Sequence, residues 1–263
     1  MNGGDTAGGL LRYRELLAML TWREIAIRYK QTLMGFLWAI LMPMVVVAAG
    51  ILVRGAFTAI SNKPLALSAV FTVAVKSVPW AFFVGAIRFA TNSLIANTNL
   101  VTKVSLPRAI FPIASVCSQL LDFAVAGLVL GVVLVVGRAG VTWEALWVIP
   151  LVLILIALTM GISILTAAAS LFYRDVKYLV EVFLTFAIFF TPVLYDVDMF
   201  TRLRDWLLLN PVAPILEGLA DALVKHQTPP LPWVGYSAAF AGLLLVVALW
   251  TFRRLDPLFA ERI

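Results

Sequence analysis

One run of residues constrains this chain more than any other, because residues 33–53 form an unbroken stretch without a charged side chain. At a rise of 1.5 Å per residue, a helix of that length crosses the hydrocarbon core of a bilayer. Just before it, Trp22, Ile25, Ala26 and Tyr29 recur at helical spacing and share one face. The pattern predicts a helix along the membrane surface that leads directly into a membrane span.

The composition predicts a polytopic membrane protein. Hydrophobic residues make up 62% of the chain and charged residues 13%, against about 45–50% and about 25% in soluble domains. The net charge of +6 does not indicate a nucleic-acid partner, because Lys and Arg lie at the ends of apolar runs, where they orient membrane helices. The single cysteine, Cys117, excludes an internal disulfide and a multi-cysteine metal site.

The hydropathy pattern predicts an all-α membrane protein with six spans. They fall at residues 33–53, about 71–91, about 110–136, within 145–173, 178–194 and 233–252. Six spans place both termini on one side of the membrane, and the larger number of Lys and Arg on that side predicts that it is cytoplasmic.

Residues 196–232, between the fifth and sixth spans, contain two short candidate helices at about 199–209 and 215–224. Both are too short to span a bilayer, and we expect them to be re-entrant helices on the outer side. We expect a single domain over residues 1–263, with three parts. These are an interfacial helix at 10–32, a six-span domain at 33–252 and a cytoplasmic tail at 253–263.

Several motifs follow one another along almost the whole chain. They read WREIAIRYKQTLMGFLWAILMP, PWAFFVGAIRFATNSLIANTNLVTKVSLPRAIFP, LFYRDVKYL, TPVLY and, at the end, Phe259-Ala260-Glu261. In this order they resemble the permease subunit of a bacterial ABC-2-type polysaccharide exporter, the family that exports O-antigen, teichoic acid and related lipid-linked glycans. The charges of Lys76 and Arg88 depart from that pattern, because the second span of the family is expected to be more apolar.

The resemblance implies a fold, partners and a location. It implies the ABC-2 exporter fold, and a homodimer in a bacterial inner membrane that works with two ATP-binding subunits on a lipid-linked polysaccharide. The chain has no G-x-x-x-x-G-K-[ST] phosphate loop. We therefore expect it to bind no cofactor and to be no enzyme itself, with ATP and Mg held by the partner subunit.

The resemblance also implies that elements on the cytoplasmic side receive the movement of the ATPase. Three elements suit this role: the helix at 22–30, the loop at 97–108 and the turn at 173–177. The candidate coupling residues on them are Arg23, Arg28, Asn97, Asn99, Lys103, Arg108, Arg174 and Asp175. The alternative is that the basic residues among them only set the membrane topology.

A glycan needs a wet path on which it can slide, and aromatic faces stack on sugar rings without a fixed register. Phe183, Phe186 and Phe190 form a stripe at helical spacing. Other candidates for the path are Trp80, Phe83, Arg88 and Tyr195. The alternative is that these rings face lipid or pack between helices.

Charges inside membrane spans are costly and usually face a cavity or a partner. For Arg88 two interpretations are open: contact with the pyrophosphate of a lipid-linked substrate, or a structural pair with Asp122 or Glu181. We expect Lys76 to extend its amine to the outer interface. Gly127 and Gly131 form a G-x-x-x-G pattern, which permits close helix packing.

Other functions remain to be separated from glycan export. An ABC-2 permease for a small hydrophobic compound or drug is the main alternative. An ion-coupled transporter would show an inverted repeat, which the sequence lacks. A membrane glycosyltransferase would need a pair of loop carboxylates, and none is obvious in the sequence.

Overall fold

The computed structural model describes residues 13–30, 37–61, 67–98, 100, 107–200 and 202–256. Two candidate coupling residues, Asn99 and Lys103, lie outside the described residues, as do the start of the first predicted span and the closing Phe259-Ala260-Glu261. In the described part every regular element is a helix, in agreement with the all-α prediction.

The main helices are numbered along the chain. They are α1 (Arg14–Lys30), α2 (Leu37–Ser61), α3 (Leu67–Ala96), α4 (Ile110–Val136), α5 (Val148–Phe172), α6 (Val176–Phe190), α7 (Arg204–Leu208), α8 (Ala213–Ala220) and α9 (Leu231–Leu255). Short 3₁₀ helices at Trp143–Trp147 and Val197–Met199 and a π-helix at Asp221–Lys225 connect them.

Four helices in the described part are long and apolar enough to cross a membrane. They are Leu67–Ala96, Ile110–Val136, Trp143–Phe172 and Leu231–Leu255, which match the second, third, fourth and sixth predicted spans. The described part of the first predicted span lies in α2, where Pro43–Val53 is an apolar helical stretch below span length. Helix α6 has 15 residues, or about 22 Å, which is shorter than the roughly 30 Å hydrocarbon core.

Helix α3 lies at the centre of the bundle. Every residue from 71 to 80 is buried, and the helix packs against α2, α4 and α5. A second close contact joins α5 to α9, where a Cβ on Gly161 would lie 3.1 Å from the backbone nitrogen of Leu245. By contrast, a Cβ on Gly127 or Gly131 would meet nothing within 4 Å among the described residues. The G-x-x-x-G pattern therefore makes no close helix contact within the described part of this chain.

Residues 191–230, which we call the α6–α9 segment, follow the predicted outline of two short helices. Helix α6 ends because Thr191 precedes Pro192 and adopts an extended backbone, the conformation that a following proline favours. Helix α8 carries Pro214 in its first turn, a favourable position because the missing N–H has no helical partner there. All eight residues of α8 are buried, so α8 packs inside the bundle, whereas Leu203 and Trp206 around α7 are exposed.

Candidate functional site

Helix α1 is joined to α4 by a charged hydrogen-bonded contact. The guanidinium of Arg28 donates from Nη1 to Oδ2 of Asp122 at 2.6 Å and from Nη2 to the hydroxyl of Ser118 at 3.1 Å. The hydroxyl of Tyr29 donates to the other oxygen of Asp122. Asp122 is therefore held by two successive residues of α1.

A second set of hydrogen bonds continues this contact one turn away. The carboxylate of Glu24 accepts from the hydroxyls of Ser115 at 2.9 Å and of Ser118 at 3.3 Å. Glu24 precedes Arg28 by four residues, while the α4 partners recur at intervals of three and four, so each set lies on one helix face. We name the whole contact the α1–α4 clamp. Its members are Glu24, Arg28, Tyr29, Ser115, Ser118 and Asp122.

The clamp changes the acidity of two groups on α1. Burial raises the pKa of the Glu24 carboxyl, and the hydrogen bonds from Ser115 and Ser118 and the charges of Arg28 and Arg23 offset part of that rise. Burial, followed by the interaction with Asp122, raises the pKa of Tyr29 to about 12. Tyr29 therefore stays a neutral hydrogen-bond donor at physiological pH.

The two sides of α1 have opposite partners. Leu20 is buried in a cluster with α4 and α9 residues, and Glu24 and Arg28 follow it at intervals of four on the same side of the helix. Trp22, on the predicted apolar face, is 70% exposed, and Met19 is exposed beside it. Tyr29, predicted on the same apolar face, instead bonds Asp122 of α4. The exposed Met19 and Trp22 fit a helix that lies in a membrane interface.

The structure also joins two candidate coupling residues directly. Arg23 of α1 donates from Nη2 to the side-chain oxygen of Asn97, which follows the last residue of α3. The amide nitrogen of Asn97 donates to the carbonyl of Ser93 at 2.8 Å, which fixes its orientation. Helix α1 therefore contacts α3 as well as α4.

The remaining described coupling candidates lie elsewhere. Arg108 donates to the backbone oxygen of Asp256 and to its carboxylate at 3.2 Å, which ties the start of α4 to the end of α9. Arg174 and Asp175 are exposed in the turn between α5 and α6. A coupling role for all of these residues stays a prediction.

A cavity of about 470 Å³ lies beside the clamp, between α1, α2, α3, α4 and α6. Its polar lining includes Arg28, Tyr29, Arg88 and Asp122, while aromatic and aliphatic side chains cover most of the rest. The guanidinium of Arg28 lies 4.3 Å from the centre of the Phe89 ring, within the range of a cation–π contact. The cavity is therefore apolar with a charged rim.

The aromatic candidates for the glycan path separate into two groups. Trp80 and Phe83 stack at 5.6 Å between ring centroids and are 4% and 5% exposed, so they belong to the core, although Trp80 also lines the cavity. The α6 stripe is exposed, and its members are Phe183, Phe186 and Phe190. Tyr195 is half-buried and donates to the carbonyl of Phe189 at 3.0 Å. Pore lining stays a prediction for each of them.

Arg88 forms the ion pair that was one of its two interpretations, while its contact with a pyrophosphate stays a prediction. Its Nη2 lies 2.7 Å from Oε1 of Glu181 on α6, with both side chains about half exposed. Asp122, the other partner considered, binds Arg28 instead.

The prediction for Lys76 is wrong. Its side chain is fully buried and does not reach an interface. The ammonium donates to Asp196 at 2.8 Å, to Glu217 at 2.7 Å and to the backbone oxygen of Tyr195 at 3.1 Å. The hydropathy pattern treats α3 as an isolated span, so it could not include acceptors that lie more than a hundred residues further along the chain.

Three acidic residues of these contacts, Glu24, Asp196 and Glu217, were not predicted as partners from the sequence. One signal for Glu217 was available, because it is the only charged residue within the apolar helix Ala213–Ala220. A charge in such a place requires a partner. Glu24 gave a weaker signal, since a lone glutamate among basic residues reads as an ordinary solvated side chain.

Comparisons with known proteins agree with this architecture. A family model described as ABC-2 type transporter matches residues 15–224. The O-antigen export system permease protein RfbA of Klebsiella pneumoniae is 29% identical over 253 residues, which cover 94% of each chain. The protein of the same name in Myxococcus xanthus is 28% identical over 260 residues, covering 97% of each chain. With most of its length matched by the family model, the chain belongs to the ABC-2 type transporter family.

Proposed function

We propose that this chain is the membrane permease of an ATP-driven exporter that moves a lipid-linked polysaccharide, such as O-antigen, across a bacterial inner membrane. The observation that carries the proposal is the match to relatives named as O-antigen export permeases over 94–97% of their length. A match of that extent covers α1, every long helix and the α6–α9 segment. The proposal therefore concerns the whole chain as one domain.

The proposed topology has six spans, formed by α2, α3, α4, α5, α6 and α9, with both termini in the cytoplasm. The excess of Lys and Arg on the side of the termini supports this orientation. Helix α6 is short for a span, and α8, in the α6–α9 segment that follows it, is buried in protein. Buried irregular backbone is compatible with membrane depth, which supports a re-entrant segment on the outer side.

The proposed assembly is a homodimer with two ATP-binding subunits. The exposed aromatic face of α6 supplies an apolar surface for a second copy or for the glycan path. On the cytoplasmic side, the clamp and the contact between Arg23 and Asn97 attach α1 to two bundle helices. A movement of the ATPase that reaches α1 is thereby passed to α3 and α4.

A second candidate function is export of a small hydrophobic compound. The observation that favours it is the cavity of about 470 Å³ with its mostly apolar lining, since pockets for small molecules span about 300–1,000 Å³. A glycan chain needs a continuous path, whereas a small compound needs only such a pocket.

The test is a deletion of the gene followed by complementation, with surface glycan measured on intact cells. We expect surface glycan to be lost and then restored by this chain together with its ATP-binding subunit. The control is an ATP-binding subunit whose phosphate-loop lysine is replaced, which should not restore export. Unchanged surface glycan in the deletion strain, with accumulation of a hydrophobic compound, would favour the second candidate instead.

A further inference from the structure

The buried cluster around Lys76 joins α3 to two separate parts of the α6–α9 segment. Asp196 and Tyr195 lie before the first 3₁₀ turn of that segment, while Glu217 lies in α8. An ammonium group has three N–H donors, and here all three have an acceptor within 3.1 Å. All three donors of the Lys76 ammonium are therefore used, and they hold the segment at one position on α3.

Glu217 strengthens this attachment from the other side. The same oxygen that accepts from Lys76 also accepts from the backbone nitrogen of Val197 at 3.0 Å. Its second oxygen lies 4.0 Å from the amine of Lys225, which in turn lies 2.8 Å from Asp221. One carboxylate thus connects α3, the start of the segment and its π-helical end.

Helix α3 is also attached at a second point, just beyond its last residue. Asn97, just after the last helical turn, accepts a hydrogen bond from Arg23 of α1. Lys76 and Asn97 are separated by roughly 30 Å of α3 at 1.5 Å per residue. Helix α3 continues through Pro79, which lacks the N–H of a helical hydrogen bond, and its residues 71–80 are buried against neighbouring helices. A displacement at Asn97 can therefore pass along α3 to Lys76.

We propose that Lys76 is a positioning residue for transport: through it, α3 carries the movement of α1 to the α6–α9 segment, which opens and closes the outer end of the path. This inference rests on the proposed function. It goes further, because it names α3 as the connecting element and the contacts of Asn97 and Lys76 as its two attachments. Without the Lys76 contacts, ATP hydrolysis continues but no longer moves the outer segment.

The first test compares two variants in the full complex with the ATP-binding subunit, reconstituted in membranes. The triple variant K76M/D196N/E217Q removes the charges of the cluster together, so it leaves no buried charge without a partner. The matched control R204Q removes an exposed ion pair with Asp198 from the same segment, with an N–O distance of 3.3 Å, and leaves Asp198 beside Lys225. Glycan export and ATP hydrolysis are both measured, together with the amount of folded complex.

We expect the triple variant to keep its ATPase rate within about twofold while glycan exported per ATP falls about tenfold, a loss in the range of coupling changes caused by single contacts. The control variant should match the wild type in both. If export per ATP in the triple variant equals that of the wild type, the inference is wrong. It is also wrong if export falls only in proportion to ATP hydrolysis.

Two further variants keep the test decisive. If the triple variant does not accumulate, E217Q is tested in its place and must show the same fall in glycan exported per ATP. E217Q is suitable because it keeps the side-chain volume and leaves Lys76 paired with Asp196. N97A, at the other end of α3, should reduce export per ATP as well. When N97A is combined with E217Q, glycan exported per ATP should fall little further, because both contacts lie on one path. If the two losses multiply instead, the two residues act independently.

Failure of this inference can be distinguished from failure of the proposed function. If the wild-type complex moves no glycan in the presence of ATP, the proposed function fails. If the wild type exports glycan and the variants do so with the same yield per ATP, only the role of Lys76 and α3 fails.

Discussion

The α1–α4 clamp and the Lys76 cluster use the same kinds of charged side chain in different surroundings. In the clamp, Arg28 and Asp122 keep 19% and 18% of their side-chain surface exposed. In the cluster, Lys76 and Glu217 keep 0% and 8%, while Asp196 keeps 19%. Water can solvate both partners of the clamp, but it cannot reach the Lys76 ammonium. Separating the partners therefore costs less free energy in the clamp than at the pair of Lys76 and Glu217.

The largest expected effect is that of K76M, which removes the ammonium beside the buried Glu217 and the partly exposed Asp196. Removal of one partner from a buried ion pair costs about 3–5 kcal/mol of folding free energy. We expect a large fall in the thermal midpoint of the purified protein and in its yield. The triple variant K76M/D196N/E217Q should recover most of that loss. Equal stability of the single and triple variants would show that the carboxylates do not depend on Lys76.

A smaller effect is expected when the clamp is broken. D122N keeps the shape of the side chain but removes the charge that Arg28 and Tyr29 share, and a hydrogen bond to a charged group contributes about 1.5–3 kcal/mol. Because the pair is partly exposed, we expect about 1 kcal/mol. The measurement is a double-mutant cycle of R28Q and D122N on unfolding. If the coupling free energy of Arg28 and Asp122 is as large as that of Lys76 and Glu217, the two sites do not differ in strength as expected.

The protonation of Glu24 gives the clamp a pH dependence. Burial raises its pKa above the ordinary value of 4.5, so the folded state binds the proton more tightly than the unfolded state. Its contribution to stability is therefore fully present below pH 4.5 and is lost as pH rises through the folded pKa. We expect the proteolytic release of α1 to increase over this window and E24Q to flatten the response. If the release of α1 from E24Q depends on pH as it does in the wild type, another group causes the pH dependence.

The smallest effect is expected for R204Q, which removes the exposed ion pair with Asp198 in the α6–α9 segment. Both side chains are well exposed, and surface ion pairs contribute little because water and salt screen them. We expect no measurable change in the thermal midpoint. A loss comparable to that of D122N would show that this surface is covered in the assembled transporter.

The sequence predicts the elements of this fold better than their partners. Hydropathy identifies α3, α4, α5 and α9 as spans, because length and apolarity are local properties. Pro192 similarly indicates the end of α6, and Pro214 fits the first turn of α8.

Contacts between distant elements are much harder to predict. The pairing of Arg88 with Glu181 was one of the possibilities open from the sequence. The burial of Lys76 was not predicted, because its acceptors lie at residues 195, 196 and 217. The helical pattern of α1 also does not show that its charged side packs on protein. An amphipathic pattern identifies two faces of a helix but not the elements that each face contacts.

The most direct test of this account is ATP-driven movement of glycan into sealed proteoliposomes that contain the chain and its ATP-binding subunit. Lipid-linked glycan is supplied on the side of the ATP-binding subunits, and the fraction protected from an added glycosidase is measured over time. The account predicts protection that requires ATP, and that is lost in the triple variant while ATP is still hydrolysed. Absence of protection in the wild-type complex, together with ATP-dependent movement of a small hydrophobic dye, would contradict it.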